Sequence, residues 1–152
     1  MNKNYLETLS IDSVERLIEV SSERRDEIDE ASNTYHKRVK ELHDVIKATK
    51  SRIDAQRKMI ALQADKLAEY RKLSAEDCSI DCVIVALERD IDNRIKLLER
   101  ERSDLEKYIA ELDEAIVLKE DTAKDVMAMD VMIEFLNVLL SKKEKDPKFD
   151  IA

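Results

Sequence analysis

An all-α fold, a long two-helix antiparallel coiled-coil hairpin, is what this sequence predicts, and three observations carry the prediction. Glycine is absent and proline occurs once in 152 residues; charged residues make up 41% of the chain beside 43% apolar ones; and apolar residues recur at heptad spacing through two long stretches. The first two are the composition of long helices rather than of a globular core, and the apolar fraction is too high for a disordered chain. The third is a coiled-coil signal. The expected organisation is an N-terminal arm over 1–12, a hairpin over 13–143 with its turn near 74–79, and a flexible C-terminal tail over 144–152. The hairpin is expected to be oligomeric at its open end.

The arm holds three apolar side chains, Tyr5, Leu6 and Leu9. Helix one then opens on LSIDSVERL, a phrase that returns as CSIDCVIVAL at the head of helix two. Each copy offers a short polar cap, an isoleucine placed to staple onto the next turn and an acid favoured by the helix dipole. Ser10 or Asp12 can cap helix one, with Glu15 three residues after Asp12 as in a capping box; Asp77 or Ser79 can cap helix two. Helices are thus predicted near Ser13–Leu73 and Ile80–Lys143, each about 90–95 Å long at 1.5 Å per residue.

In helix one the a row runs every seventh residue from Ile18 to Leu67 and the d row from Val14 to Tyr70. In helix two the rows run from Ile84 to Leu140 and from Leu87 to Leu136. Of these 34 positions 24 are apolar, over far more than the three or four heptads a coiled coil requires. The lapse between the helices, LSAEDCSID, is short enough to join antiparallel neighbours. With Asp77 at the apex, facing residues sum to about 154, which sets Leu42 against Leu112 and Ile18 against Leu136. A continuous helix through residue 77 is the competing topology.

Polar residues interrupt the rows in two places. Thr49, Gln56 and Gln63 fall in the stretch facing Arg94 and Glu101; Arg25 and Ser32 fall near Lys119 and Thr122. Arg25, Gln56, Gln63, Arg94, Glu101 and Lys119 are therefore candidates for setting register or oligomer choice, at a cost in stability. The blander reading is that they snorkel out of a narrow seam. A fault of the opposite kind occurs in VMAMDVMIEFLNVLL, where Met127, Val131, Met132, Phe135, Val138 and Leu139 are apolar although they lie off both rows. A helix apolar nearly all round needs cover that one hairpin partner cannot supply. Together with Tyr5, Leu6 and Leu9 these residues are the candidate protein interface. The cover is either the arm folding back or another chain.

Chemistry-bearing motifs are missing. His36 and His43 are two turns apart, about 10 Å along a helix, and cannot share one metal. Without glycine there is no P-loop, dinucleotide fingerprint or nucleophile elbow. Cys78 and Cys82 are expected to be small apolar thiols in a reducing compartment. No catalytic residue, cofactor, metal or small-molecule substrate is expected. MNKNYLETLS lacks the apolar core of a signal peptide and no apolar run spans a bilayer, so the expected setting is the cytoplasm, away from membranes.

Net charge is −8, unevenly spread: 8 acids against 3 bases over 12–30 and 5 against 2 over 119–134, but 8 bases against 3 acids over 36–58. In the hairpin the two acidic stretches lie together and would favour a basic partner, while the basic stretch falls beside Glu99, Glu106, Glu111 and Asp113. The expected function is a non-enzymatic structural, scaffold or adaptor/chaperone role through contacts with a protein partner or with itself, as a dimer or higher oligomer. Nucleic acid is not the expected partner. The alternative is a nucleic-acid-associated accessory factor, or an acidic inhibitor that mimics nucleic acid.

Overall fold

The computed structural model describes residues 3–145, with backbone alone for residues 3 and 4. It is a helical hairpin, without strands among the described residues: α1 (Lys3–Glu7), α2 (Ile11–Ser74), a 3-10 turn (Cys78–Ile80) and α3 (Asp81–Lys145), with α2 and α3 packed on each other. The competing continuous helix is excluded. Asp146, Pro147, Phe149 and Ile151 of the expected tail lie outside the described residues.

The repeated phrase starts both long helices, by different means. Ser10 caps α2: its Oγ accepts from the Ser13 N–H at 3.2 Å and its carbonyl accepts from the Val14 N–H at 3.0 Å. Asp12 therefore lies inside the first turn, where it favours the dipole, and the capping box expected from Asp12 and Glu15 is not the one used. In the second copy the cap falls before the phrase. Asp77, in extended backbone, accepts from the Ser79 N–H at 3.0 Å and opens the 3-10 turn that runs into α3. That hydrogen bond holds the Asp77 carboxyl below its ordinary value.

The reversal is made without glycine. Amides of Glu76 and Asp77 close the end of α2 on the Leu73 carbonyl at 3.0 and 2.9 Å, and no described residue has positive φ. Arg71 and Lys72 occupy the last turn of α2, where basic groups oppose the dipole's negative end. Ser74 Oγ donates to Asp81 Oδ1 and Arg71 Nη2 to Glu88 Oε1 at 2.8 Å, joining the two helices beside the turn.

Packing divides the chain into two compact units. The turn unit, Val39–Glu114, is a pure two-helix seam: from Val39 to Leu73 every a and d residue is buried or half-buried and every other residue is exposed. Its buried apolar residues are Val39, Leu42, Ile46, Ile53 and Leu112. Arg52 meets Glu101 and Gln63 meets Asp90, within one residue of the expected sum of about 154. The terminal unit takes the described residues up to Arg38 and from Ala115. There a third segment joins the two helices: Leu6 of α1 is buried against Val14, Leu136 and Leu139, with Leu9, Leu17, Ile18, Met132, Phe135 and Leu140 packed around them. Arg25 meets Asp130 within the same one-residue margin.

Candidate functional site

The surface in question is built on the last third of α3. Around a helix, successive heptad positions fall in the order a, e, b, f, c, g, d, so the seam rows a and d leave b, f and c pointing outward. Leu139 and Met132 occupy g, beside the seam, and α1 lies on that flank. A five-residue helix does not hold its shape alone in water. It is held here by Leu6, 5% exposed, and by Lys143, whose Nζ donates to the Glu7 carbonyl at 2.9 Å and so satisfies one of the carbonyls at the end of α1. Lys143 is 1% exposed. Thr8 closes the same end, its N–H and Oγ1 both donating to the Tyr5 carbonyl at 3.2 and 2.7 Å.

The expected apolar stripe is therefore two surfaces. The arm covers one part: Leu6 and Leu139 are buried, and Leu9, Met132 and Phe135 are half-buried against them. It does not reach the other. Met127 at b and Val131 and Val138 at f remain 69%, 68% and 50% exposed, and Tyr5 of the arm itself is 60% exposed. Asp130 and Glu134 flank the exposed row.

Of the polar seam residues, Thr49 is buried and Arg25, Gln56, Gln63, Arg94 and Glu101 are half-buried. Arg25 donates from Nε to Asp130 Oδ1 at 2.9 Å, with Asp26 and Asp29 at 3.4 and 3.6 Å, and Asp130 holds its guanidinium above the ordinary arginine value. Arg52 Nε reaches both oxygens of Glu101, at 3.1 and 3.3 Å, and its Nη2 donates to Thr49 Oγ1 at 3.0 Å. Thr49 and Thr122 turn their hydroxyls back onto carbonyls of their own helices. Arg94 is split between Gln56 Oε1 at 3.5 Å, the limit of a hydrogen bond, and Asp90 at 3.4 Å. Gln63 donates to Asp90, but its buried Oε1 accepts from no group. Lys119 is half-buried on its a position.

Sequence reasoning missed Lys143 and Asp130. Lys143 was within reach, because it is the next d position after Leu136. Asp130 lies off both rows, and nothing in the heptad marks it as the partner of Arg25.

Other features are chemically plain. Lys50, Arg57 and Arg102 line a groove of about 340 Å³ in the turn unit, together with Asp54 and Glu106 and an apolar floor of Ile53, Leu105 and Ile109. Its charges are mixed, not a run of cations for phosphates. His36 and His43 are exposed, and no group of three metal-ligating side chains occurs among the described residues. Cys78 and Cys82 are free thiols, as expected, and both are exposed. Among the described residues no helix is long and apolar enough to cross a membrane. The chain matches no protein-family model, no curated protein and no solved structure.

Proposed function

We propose that this chain is a non-enzymatic scaffold or adaptor that acts through protein–protein contacts made by α3 in the terminal unit. The observation that carries the reading is the row Met127, Val131 and Val138, left exposed on a helix whose neighbouring apolar side chains are already covered by the arm. Large apolar side chains grouped on one face and rimmed by charge mark interaction surfaces, and methionine adapts to a partner's contour. The acids over 12–30 and 119–134 fall in the same unit and favour a partner with basic residues around its apolar contact.

The test is capture from the native cell by the tagged full chain and by its Met127→Glu, Val131→Glu variant. Both positions point away from the seam, so helicity by circular dichroism stays unchanged. A charge buried without a partner in an interface costs several kcal/mol, enough to release a modest contact. Proteins held in fixed ratio by the parent, further copies of the chain included, are expected to be lost by the variant. Equal capture by both places the working surface elsewhere and sinks the reading.

A further inference from the structure

We infer that the outward face of α3 pairs, antiparallel, with the same face of a second copy of this chain. The inference rests on the scaffold reading and names one occupant for its surface. Outside the intrachain seam α3 carries a second pair of rows at alternating spacings of three and four: Ala128, Val131, Phe135 and Val138. Ala128, Val131 and Val138 are exposed, and Phe135, packed against the arm's core, is half-buried at the edge of that face. That is the spacing a coiled-coil contact uses, here over about one and a half heptads.

Charge selects the occupant and its direction. The same two rows continue into Asp121 and Lys124 on the N-terminal side and into Lys142 and Lys145 on the C-terminal side. In a parallel pair each of these meets its own kind across the axis, which is repulsive. In an antiparallel pair that sets Val131 against Phe135 and Ala128 against Val138, Asp121 of each copy falls opposite Lys145 of the other. Lys124 then faces Lys142, but Lys142 also comes within a turn of Asp121 and Asp125 on the other copy. Glu134 flanks the two-fold axis at the solvent rim, where salt screens like charge.

Sliding the register by one heptad either way sets Lys124 against Phe135 or Lys142 against Val131. Only one register keeps all four layers apolar. The face is thus self-complementary, the condition for a closed two-fold dimer. The apolar span from Ala128 to Val138 covers about 16 Å of helix, a small contact for an interface, so the dimer forms only at micromolar concentrations and above.

The experiment uses the full chain. By sedimentation equilibrium its mass is expected to rise from one chain near ~1 µM towards two near ~500 µM, the range proper to a small interface. Lys145→Glu, which sets two acids against each other at Asp121, is expected to weaken association roughly tenfold, and mixing that variant with an Asp121→Lys chain to restore it. Direction is read by crosslinking in a Cys78→Ser, Cys82→Ser background. Ala128→Cys chains mixed with Val138→Cys chains should give a disulfide-linked dimer, whereas neither alone does.

A chain that keeps the mass of one at the highest concentration, or Ala128→Cys chains that link to themselves, overturns the inference. Should the chain stay monomeric while the Met127→Glu, Val131→Glu variant still loses its captured partners, self-pairing fails and the scaffold reading stands.

Discussion

At the scale of single residues, the polar seam positions differ in how well they are satisfied. Thr49 is fully buried yet bonded to the Val45 carbonyl at 2.8 Å, and Glu101 keeps both oxygens on Arg52. Gln63 is the exception, with one amide atom paired and the other buried without a donor. A buried acceptor left unpaired costs about 1–3 kcal/mol. Leucine at this d position removes that cost and adds apolar burial, against the loss of one rim hydrogen bond to Asp90, which keeps Arg94. Gln63→Leu is expected to gain about 1 kcal/mol, raising the melting temperature by roughly 2–4 °C for a chain of this size. Gln56→Leu should gain less, because Gln56 Oε1 already faces Arg94. Thermal unfolding followed by circular dichroism separates the two, and equal shifts would remove the unpaired oxygen as the cause.

At the scale of elements, α1 is held by what it touches. Its three-residue link to α2 leaves it free to leave as a unit, and Leu6 is its one buried apolar side chain. Leu6→Ala removes contacts to Val14, Leu136 and Leu139; in a closed core that costs about 2–5 kcal/mol, and at this peripheral site the low end applies. Since a short helix has no reserve, that loss is expected to release the arm rather than unfold α2 and α3. Hydrogen exchange at the Thr8 and Leu9 amides, which donate to Tyr5 and Leu6, should accelerate to the rate of free chain while α2 keeps its protection. Slow exchange at those amides in the variant would show that Lys143 on the Glu7 carbonyl suffices to hold the arm.

The same elements show what was legible in the sequence. Heptad rows report a seam directly, since the period of the pattern is the period of the contact, and every a and d residue so identified is shielded. The hairpin's register followed from one apex residue. The partition of the apolar stripe was not legible. Met132 and Met127 read alike along the chain, and only the path of a five-residue arm decides that one is covered and the other is not. Arm placement depends on Leu6 finding a pocket made by three residues from two distant segments, which no local pattern encodes.

At the scale of the whole molecule, burial is not spread evenly along the hairpin, although the heptads are. Between Ile53 and Leu112 no residue falls in the buried class, whereas buried side chains recur from Val39 to Ile53, at Leu112 and Ala115, and in the arm's cluster. The stretch without them holds Gln56, Gln63, Arg94 and Glu101, and its seam is closed by rim ion pairs worth little each. Amide protection reports the free energy of local opening, which tracks buried apolar contact rather than helical hydrogen bonds, since these are present throughout. Helix-interior amides from Gln56 to Leu98 are therefore expected to exchange fastest, those near Leu42, Ile46 and Leu112 more slowly, and those near Val14 and Leu136 as slowly as global unfolding allows. Gln63→Leu should slow exchange on both sides of the turn, in α2 and α3 alike, because it repairs the seam between them. Uniform protection along both helices would mean that the hairpin opens all at once, and that the polar sector sets register without setting stability.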